Sequence, residues 1–594
     1  MTGQPRTGTP GQRAVREAIA RAALAEDGET VARAPDHGDL PEGCPIVPLG
    51  VSGKTYFFLK PNGVLTDLTP REFTENGIAA LFGGELAWLW QHYVRLGKDG
   101  NPIGINHSKA AAALMRACER HPFWSADEGL RGAGSWLDGK DRIVVHCGDS
   151  VRDGLGRWHS VPVTIAGRIY AAARAQPRPA AAPASAAHCG RLLNFLERWA
   201  WRAPAAAPRL LLGWLCAALV CGVLTWRPHV WVTGDKAMGK STLEKLLRGL
   251  FGAGALRSAD ASPTAIRQML GGACMPVMMD EQEVADSRMA EACILLARLA
   301  STRDQAATHR GSPEGKVREE FVRAMFYFSA ILHPPLKPQD RDRITIFELD
   351  RLVGGDEARD FHEEFATVAG LGPALRARVI ERWPAIRAAQ AHYSRAMFER
   401  KATNRQVDQY GTMLAFADAM LSDAPVDELG VREVLDVIDL RTVGGDDDDA
   451  DHDECLAQLL SAHVDTWSGG VRRTLGMQIA SAVRDGERSD AGKALWASGC
   501  RLERIGDGEG GALELAVAQK HAGLERIFEG TRWARGVWWQ ALRRLPNAYV
   551  TKGSLYFGGP KVRAVMLAID LVTDPSAGHG ARHGPSQDDG EPRG

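Results

Sequence analysis

HVWVTGDKAMGKSTLEKLLRGLF, residues His229 to Phe251, joins three signals in one run: a β-prone apolar strand, a glycine-bounded loop and an amphipathic helix. Within it Gly234, Asp235, Lys236, Ala237, Met238, Gly239, Lys240, Ser241 and Thr242 fit the pattern G-x-x-x-x-G-K-[ST] in the strand-to-helix setting that gives the pattern mechanical meaning. Gly234 and Gly239 permit the backbone turns that aim successive N–H groups inward, and the following helix adds its positive end, so the loop is expected to hold a polyphosphate. Lys240 is placed to reach the β- and γ-phosphates, Ser241 to offer its hydroxyl to Mg²⁺, and Thr242 to hydrogen-bond beside it. The expected cofactors are ATP and Mg²⁺, and the expected class is α/β.

The residues that follow supply the partners such a loop needs. Met275 to Glu281, MPVMMDE, is an apolar strand ending in two acids, forty residues on from Lys240. Asp280 is expected to hold the metal through water, and Glu281 to polarise the attacking water as base. Glu291–Ser301 reads as a helix, Arg303 to Lys316 as a polar stretch, and Phe321–Ile331 (FVRAMFYFSAI) as a buried strand. Ser329 or His333 at its end is positioned to contact the γ-phosphate or the water, unless the strand merely runs into the Pro334-Pro335 turn. Asp340-Arg341-Asp342-Arg343 precedes another strand, Ile344–Leu349. A guanidinium here, Arg341 in preference to Arg343, would stabilise charge on a transferred phosphoryl group, reaching it from a neighbouring subunit; the alternative is a solvated charge cluster.

Taken together, GDKAMGKST, MPVMMDE, FYFSAI and DRDRI, compressed between Gly234 and Ile344, resemble a superfamily 3 helicase within the AAA+ ATPases, of the phage and prophage primase-helicase type. The resemblance covers about residues 190–440. It implies a homo-hexameric ring with single-stranded DNA in its channel, gripped by a hairpin just before the third motif. HRGSPEGK is the matching segment, which makes His309, Arg310 and Lys316 DNA contacts by resemblance. The family ends its third strand with Asn, whereas this chain offers Ser329 or His333. RQVDQYGTMLAFADAML at Arg405–Leu421 is similar to a helix of the region after the ATPase in other prophage proteins. Primase features are missing, with neither a zinc-binding cysteine set nor an acidic constellation for polymerisation.

At 594 residues the chain is too long for one core. Residues 1–40 read as a mobile arm and 41–174 as a small α+β domain. Its hairpin joins Thr55–Leu59 to Val64–Leu68 across Pro61-Asn62-Gly63, and a second pair of strands falls near Gly134–Leu137 and Arg142–Cys147. His146, Cys147 and Asp149 invite a catalytic reading, but a hydrophobic strand ending in a turn explains them equally well. A Pro/Ala linker is expected at 175–187, a helical lead-in at 188–228, the AAA+ core at 229–352, further helices at 353–440 and an acidic linker at 441–454. A helical and winged-helix-like domain at 455–573 and a polar tail at 574–594 complete the layout. In the winged-helix-like part, a helix at Thr531–Arg544 precedes a small hairpin whose Lys552, Lys561 and Arg563 are candidates for phosphate contact.

Net charge is −1, so any DNA contact must come from local basic patches. Ten scattered cysteines without a C-x-x-C pair, and an N-terminus without an apolar core, point to reduced thiols in the cytoplasm. Leu210 to Trp226 is apolar for seventeen residues, near the lower limit for a membrane span, but it runs almost directly into the P-loop strand. A buried helix is expected there, and no membrane. The function this adds up to is an ATP-driven DNA helicase of prophage or mobile-element replication, with replication proteins and a duplex origin as further partners. The competing readings are a DNA-stimulated AAA+ ATPase that loads or remodels other proteins without unwinding, and a nucleotide-switched origin-binding protein.

Overall fold

The computed structural model describes residues 37, 39–125, 129–258, 261–280, 287–302, 308–311, 317–331, 336–351, 358–440, 450–464, 473–505, 512–531, 533–557 and 561–573. The chain divides into two compact units, Met1–Gly444 and Gly445–Gly594.

The first unit is a mixed α/β structure built on a parallel sheet. Strand β1 (His229–Thr233) is followed by helix α1 (Lys240–Phe251), then β2 (Leu256–Ser258), β3 (Val277–Met279), β4 (Phe326–Ala330) and β5 (Ile344–Glu348). The strands lie in the order β2-β3-β4-β1-β5, every pairing parallel. A parallel sheet needs cover on both faces, which is why β1, β3 and β4 are apolar almost throughout and buried at every residue. Val230, Val232, Met278, Tyr327 and Phe347 pack with Leu243, Leu246, Leu247 and Leu250 of α1. The alternating side chains Trp231, Val277, Met279, Phe326 and Phe328 pack on the other face with Ile266, Leu270, Cys293 and Leu296. The strand expected over 321–331 begins only at Phe326, because its pairing with β3 starts there, opposite Val277.

The apolar run before β1 folds as the helix Ala207–Ala218, buried at every residue except Arg209. Leu210, Leu211, Leu212, Trp214 and Leu215 are fully enclosed; each contributes on the order of 2 kcal/mol by burial. The helix Thr412–Leu421 lies directly on it, so closely that a Cβ on Gly213 would sit 1.8 Å from the Met413 carbonyl oxygen. Arg209, flanking the run, donates to Asp418 at 2.8 Å. No helix among the described residues is long and apolar enough to cross a membrane.

Two boundaries differ from the sequence expectation. The core of the N-terminal α+β part extends from Leu40 to Cys118, whereas Trp136, Val144, Val145 and Val151 belong to the same core as α1 and Ala207–Ala218. The Pro/Ala stretch at 175–187 is a strap and not a spacer. Gln176 N–H donates to Cys147 O, Ala180 N–H to Pro373 O and Ala184 N–H to Ala374 O, while Arg376 donates to Pro177 O at 3.0 Å.

The second unit has its own core and a four-stranded antiparallel sheet in the order Cys500–Ile505, Ala512–Ala518, Ala564–Ala568, Tyr549–Val550. The hairpin expected after residue 548 is present, with Tyr549 opposite Met566, but its second strand also pairs with Ala512–Ala518, so the sheet is wider than a two-stranded wing. The helix expected over 531–544 is confined to Val537–Leu542, capped by Gly536 in the left-handed region.

Gly213→Val is expected to destabilise the first unit by about 2 kcal/mol or more in chemical denaturation, because the added side chain meets backbone. Gly190→Ala, in the helix Ala186–Leu196 with open space around it, is the control, expected to be neutral or stabilising by up to about 1 kcal/mol.

Candidate functional site

Between β1 and α1 the chain makes three left-handed turns in six residues: Gly234 at φ 153°, Ala237 at φ 67° and Gly239 at φ 88°. Ala237 pays a backbone strain that a residue with a Cβ rarely carries. Gly234 and Gly239 are also held from outside. A Cβ on Gly234 would lie 2.7 Å from Leu349 O, and one on Gly239 would lie 2.9 Å from the Trp199 indole nitrogen. That indole N–H donates to Gly239 O at 3.1 Å. No side chain caps the N-terminus of α1, which leaves its positive end for a ligand. Lys240 folds back into the loop, its Nζ donating to Gly234 O and, at 2.8 Å, to Asp235 O. The loop is thus a concavity of backbone amides with a cation inside it, which is the donor set a polyphosphate requires.

The sheet register brings the other residues to the same edge. Met279 lies opposite Phe328, which puts Asp280 level with Ser329, and Ser329 lies opposite Val232, two residues before Gly234. β1 and β4 are neighbours whose chains leave toward opposite edges of the sheet, and the crevice at such a point is where open α/β sheets bind ligands. Asp280 N–H donates to Ser258 O at 3.2 Å, fixing the end of β3. Ser329 is 3% exposed.

A further acid stands here that the sequence reading missed. Glu244, on α1, is 8% exposed and lies in the electrostatic reach of Asp280. Burial first, then the neighbouring Asp280, raise its pKa, opposed by Arg248 at 3.8 Å and by Arg257. Tyr327, fully buried below, has its phenol pushed up by burial and by both acids. No local signal marks it: Glu244 is four residues after Lys240, but a glutamate on an amphipathic helix ordinarily faces solvent. A divalent cation fits this edge, because Ser241 supplies a hydroxyl and Asp280 a carboxylate, with a second carboxylate adjoining.

Arg341 and Arg343 lie at the other end of the sheet. Ile344 pairs with His229, at the start of β1, so the length of a five-residue strand, about 16 Å, separates them from the phosphate loop of their own chain. Arg341 ends the short helix Pro338–Arg341. Arg343 stacks on the Trp226 ring at 5.5 Å and donates to Gln339 O, while Arg405 stacks on the same ring at 4.7 Å. Burial, then the Arg405 charge, lower the Arg343 pKa.

His309 and Arg310 lie on the strand Thr308–Gly311, which pairs antiparallel with Val317–Glu320; residues 312–316 of the segment resembling the channel loop lie outside the described residues. So do the side chains of His309 and Arg310, and Glu281, Lys316 and His333 altogether. In the second unit Lys552, Lys561 and Arg563 are exposed on one hairpin. Trp538 is core, stacked on Phe528 at 5.4 Å. His146 and Cys147 are fully buried, and burial lowers the imidazole and raises the thiol, so they form no exposed nucleophile.

No family model matches the chain, and no curated protein does. Among solved structures it is similar to the active helicase Cch of SCCmec type IV, at 12% identity and a TM-score of 0.40 over 87% of this chain and 91% of that one. The apo C-terminal region of NrS-1 gives 11% and 0.32 over 88% and 96%. A full-length MCM homologue from Methanopyrus kandleri gives 14% and 0.27 over 51% and 75%. With TM-scores this low, the functional reading rests on the chain's own geometry.

Trp199→Phe keeps the ring beside Phe195 but removes the donor to Gly239 O. A fluorescent ADP analogue is expected to bind about 5-fold more weakly, the value of one hydrogen bond; unchanged affinity in a fluorescence titration would show that the ring only fills space.

Proposed function

We propose that the chain is an ATP-dependent DNA helicase of prophage or mobile-element replication, of the AAA+ superfamily 3 type, working as a homo-hexameric ring on single-stranded DNA. The observation that carries this reading is the split between the two ends of the sheet. The phosphate loop, Asp280 and Ser329 meet at one end, whereas Arg341 and Arg343 are held at the other, which supports a site that draws its arginine from a second copy of the chain. The antiparallel strand pair before β4 supports the DNA part, standing where the resemblance puts a channel loop.

In this reading the amides of Gly234 to Thr242 and the Lys240 ammonium hold the triphosphate, and Ser241 and Asp280 hold magnesium. Magnesium, when bound with ATP, neutralises charge on the β- and γ-phosphates. Glu281, next after Asp280 in the chain, orients the attacking water and takes its proton; Ser329 or His333 senses the γ-phosphate. Arg341 of the adjoining copy meets the charge that develops on the transferred group. Arg341 is the residue preferred for this role, with Arg343, stacked on Trp226, as the alternative. His309, Arg310 and Lys316 contact the strand in the channel, and Lys552, Lys561 and Arg563 contact phosphates from the second unit.

Lys240→Ala is expected to lose nucleotide binding, and Glu281→Gln to bind ATP but hydrolyse it at least about 100-fold more slowly. Wild type is expected to hydrolyse ATP faster with single-stranded DNA and to open a forked duplex; a DNA-indifferent ATPase that leaves the fork closed defeats the helicase reading. Mixing tests the shared site. Lys240→Ala and Arg341→Ala proteins, each inactive alone, are expected to regain partial ATPase activity together, since some boundaries then pair an intact loop with an intact arginine; no recovery would place the arginine in cis or out of the site.

A further inference from the structure

We propose that Tyr556 is a stacking platform for an unpaired base, so that the second unit binds single-stranded DNA through an aromatic ring flanked by cations. The proposal rests on the DNA-helicase reading and adds a base contact to the phosphate contacts. Leu555 and Val562 bond to each other in both directions, Leu555 N–H to Val562 O at 2.7 Å and Val562 N–H to Leu555 O at 2.9 Å. Both pack on the core of the second unit, and Phe557 is part of it at 2% exposed. Side chains alternate along such backbone, so Tyr556, between two core residues, is turned outward and is 46% exposed. Lys561 and Arg563, on either side of Val562, are exposed for the same reason, and Lys552 is exposed earlier on the same hairpin. The ring is held from behind. Trp496, on the helix Asp490–Ser498, meets it edge-on, with centroids 6.0 Å apart and planes at 83°. The Trp496 indole donates to Glu487 at 3.1 Å, and Arg501 lies over that indole at 5.0 Å while donating to Tyr556 O at 2.9 Å. A side chain already fixed in place loses less entropy when a ligand stacks on it. The acids beside it, Glu487 and Glu503, are both paired with Arg501, at 3.5 and 2.6 Å, against which stand the exposed Lys552, Lys561 and Arg563. An aromatic face rimmed by positive charge complements a polyanion whose bases are bare, whereas a duplex keeps its base faces covered.

The test uses the full chain and a single strand in which iodouracil replaces thymine. Irradiation is expected to join the strand to Tyr556, located by mass spectrometry of the digested adduct. In titrations with an oligothymidylate, Tyr556→Ala is expected to bind about 10-fold more weakly and Tyr556→Phe within about 2-fold of wild type, because the phenyl ring still stacks. An abasic strand of the same length, which keeps the phosphates and lacks the bases, is expected to bind wild type and Tyr556→Ala alike. Lys561→Ala is expected to weaken both strands and to lower the slope of affinity against salt by about 1, whereas Tyr556→Ala leaves that slope unchanged. A melting curve for each variant keeps folding separate from binding, and the crosslink, made on wild type, carries the test if Tyr556→Ala does not fold. Adducts in Thr308–Glu320 without one at Tyr556, or an equal effect of Tyr556→Ala on the abasic strand, overturn the proposal and leave the channel contacts standing. A wild-type chain that binds no single strand overturns the DNA reading itself.

Discussion

The parallel pairing of β1 with β4 on one side and β5 on the other is the constraint on which the rest depends. It fixes β1 as an interior strand, so its residues must be apolar on both faces, and HVWVT meets that demand with His229 buried as well. Even that histidine is absorbed: its Nδ1 accepts from the Phe326 N–H at 3.0 Å, and burial drives its pKa down to about 3. A neutral imidazole that ties β1 to β4 is worth more here than a charged one, which burial would penalise. The same pairing orders the functional residues by their place along the strands. Those after the C-terminal ends gather at the phosphate loop, and those before the N-terminal ends are carried away from it.

Much of this was legible in the sequence, because each local signal agreed with the others. An apolar run, a glycine turn and an amphipathic helix specify a strand, a loop and a covering helix without tertiary information. Asp280 was equally visible, since an acid that ends an apolar strand has only the sheet edge to occupy. Glu244 was not, because a glutamate on an amphipathic helix is ordinarily solvent-facing, and its burial follows from the distance between α1 and β3. The Pro/Ala strap was misread for a related reason. Its composition reads as a linker, yet its backbone groups bond to the residues around Pro373. The partner of Ala564–Ala568 lies about fifty residues earlier, at Ala512–Ala518, and no local pattern announces a pairing of that range.

The two ends of β1 are held by different parts of the chain. At the phosphate end the segment before β1 does the work. Trp199 bonds Gly239, and Ala200 O accepts from Asp350 N–H at 2.7 Å. At the base the segment after the sheet does it. Gln409 accepts from the Trp226 indole at 3.1 Å and donates to His229 O and to the Thr345 hydroxyl, so one buried amide joins β1, β5 and the tryptophan between Arg343 and Arg405. Gln409 sits in a π-turn, Val407–Gly411, within an otherwise regular helix. The additional residue in such a turn displaces the helical register, a feature that recurs at functional sites.

This arrangement joins the two ends of the sheet through a single strand. Arg343 and Arg405 stand on a base that Gln409 and Trp226 lock to β1, and the phosphate loop grows from the other end of the same strand. β1 is paired along both edges, so displacing either of its ends disturbs its pairing with both β4 and β5. The shortest physical link between the arginine end and the phosphate end is therefore β1 itself. It is tied by buried groups, Gln409 and His229, whose loss leaves unpaired polar atoms.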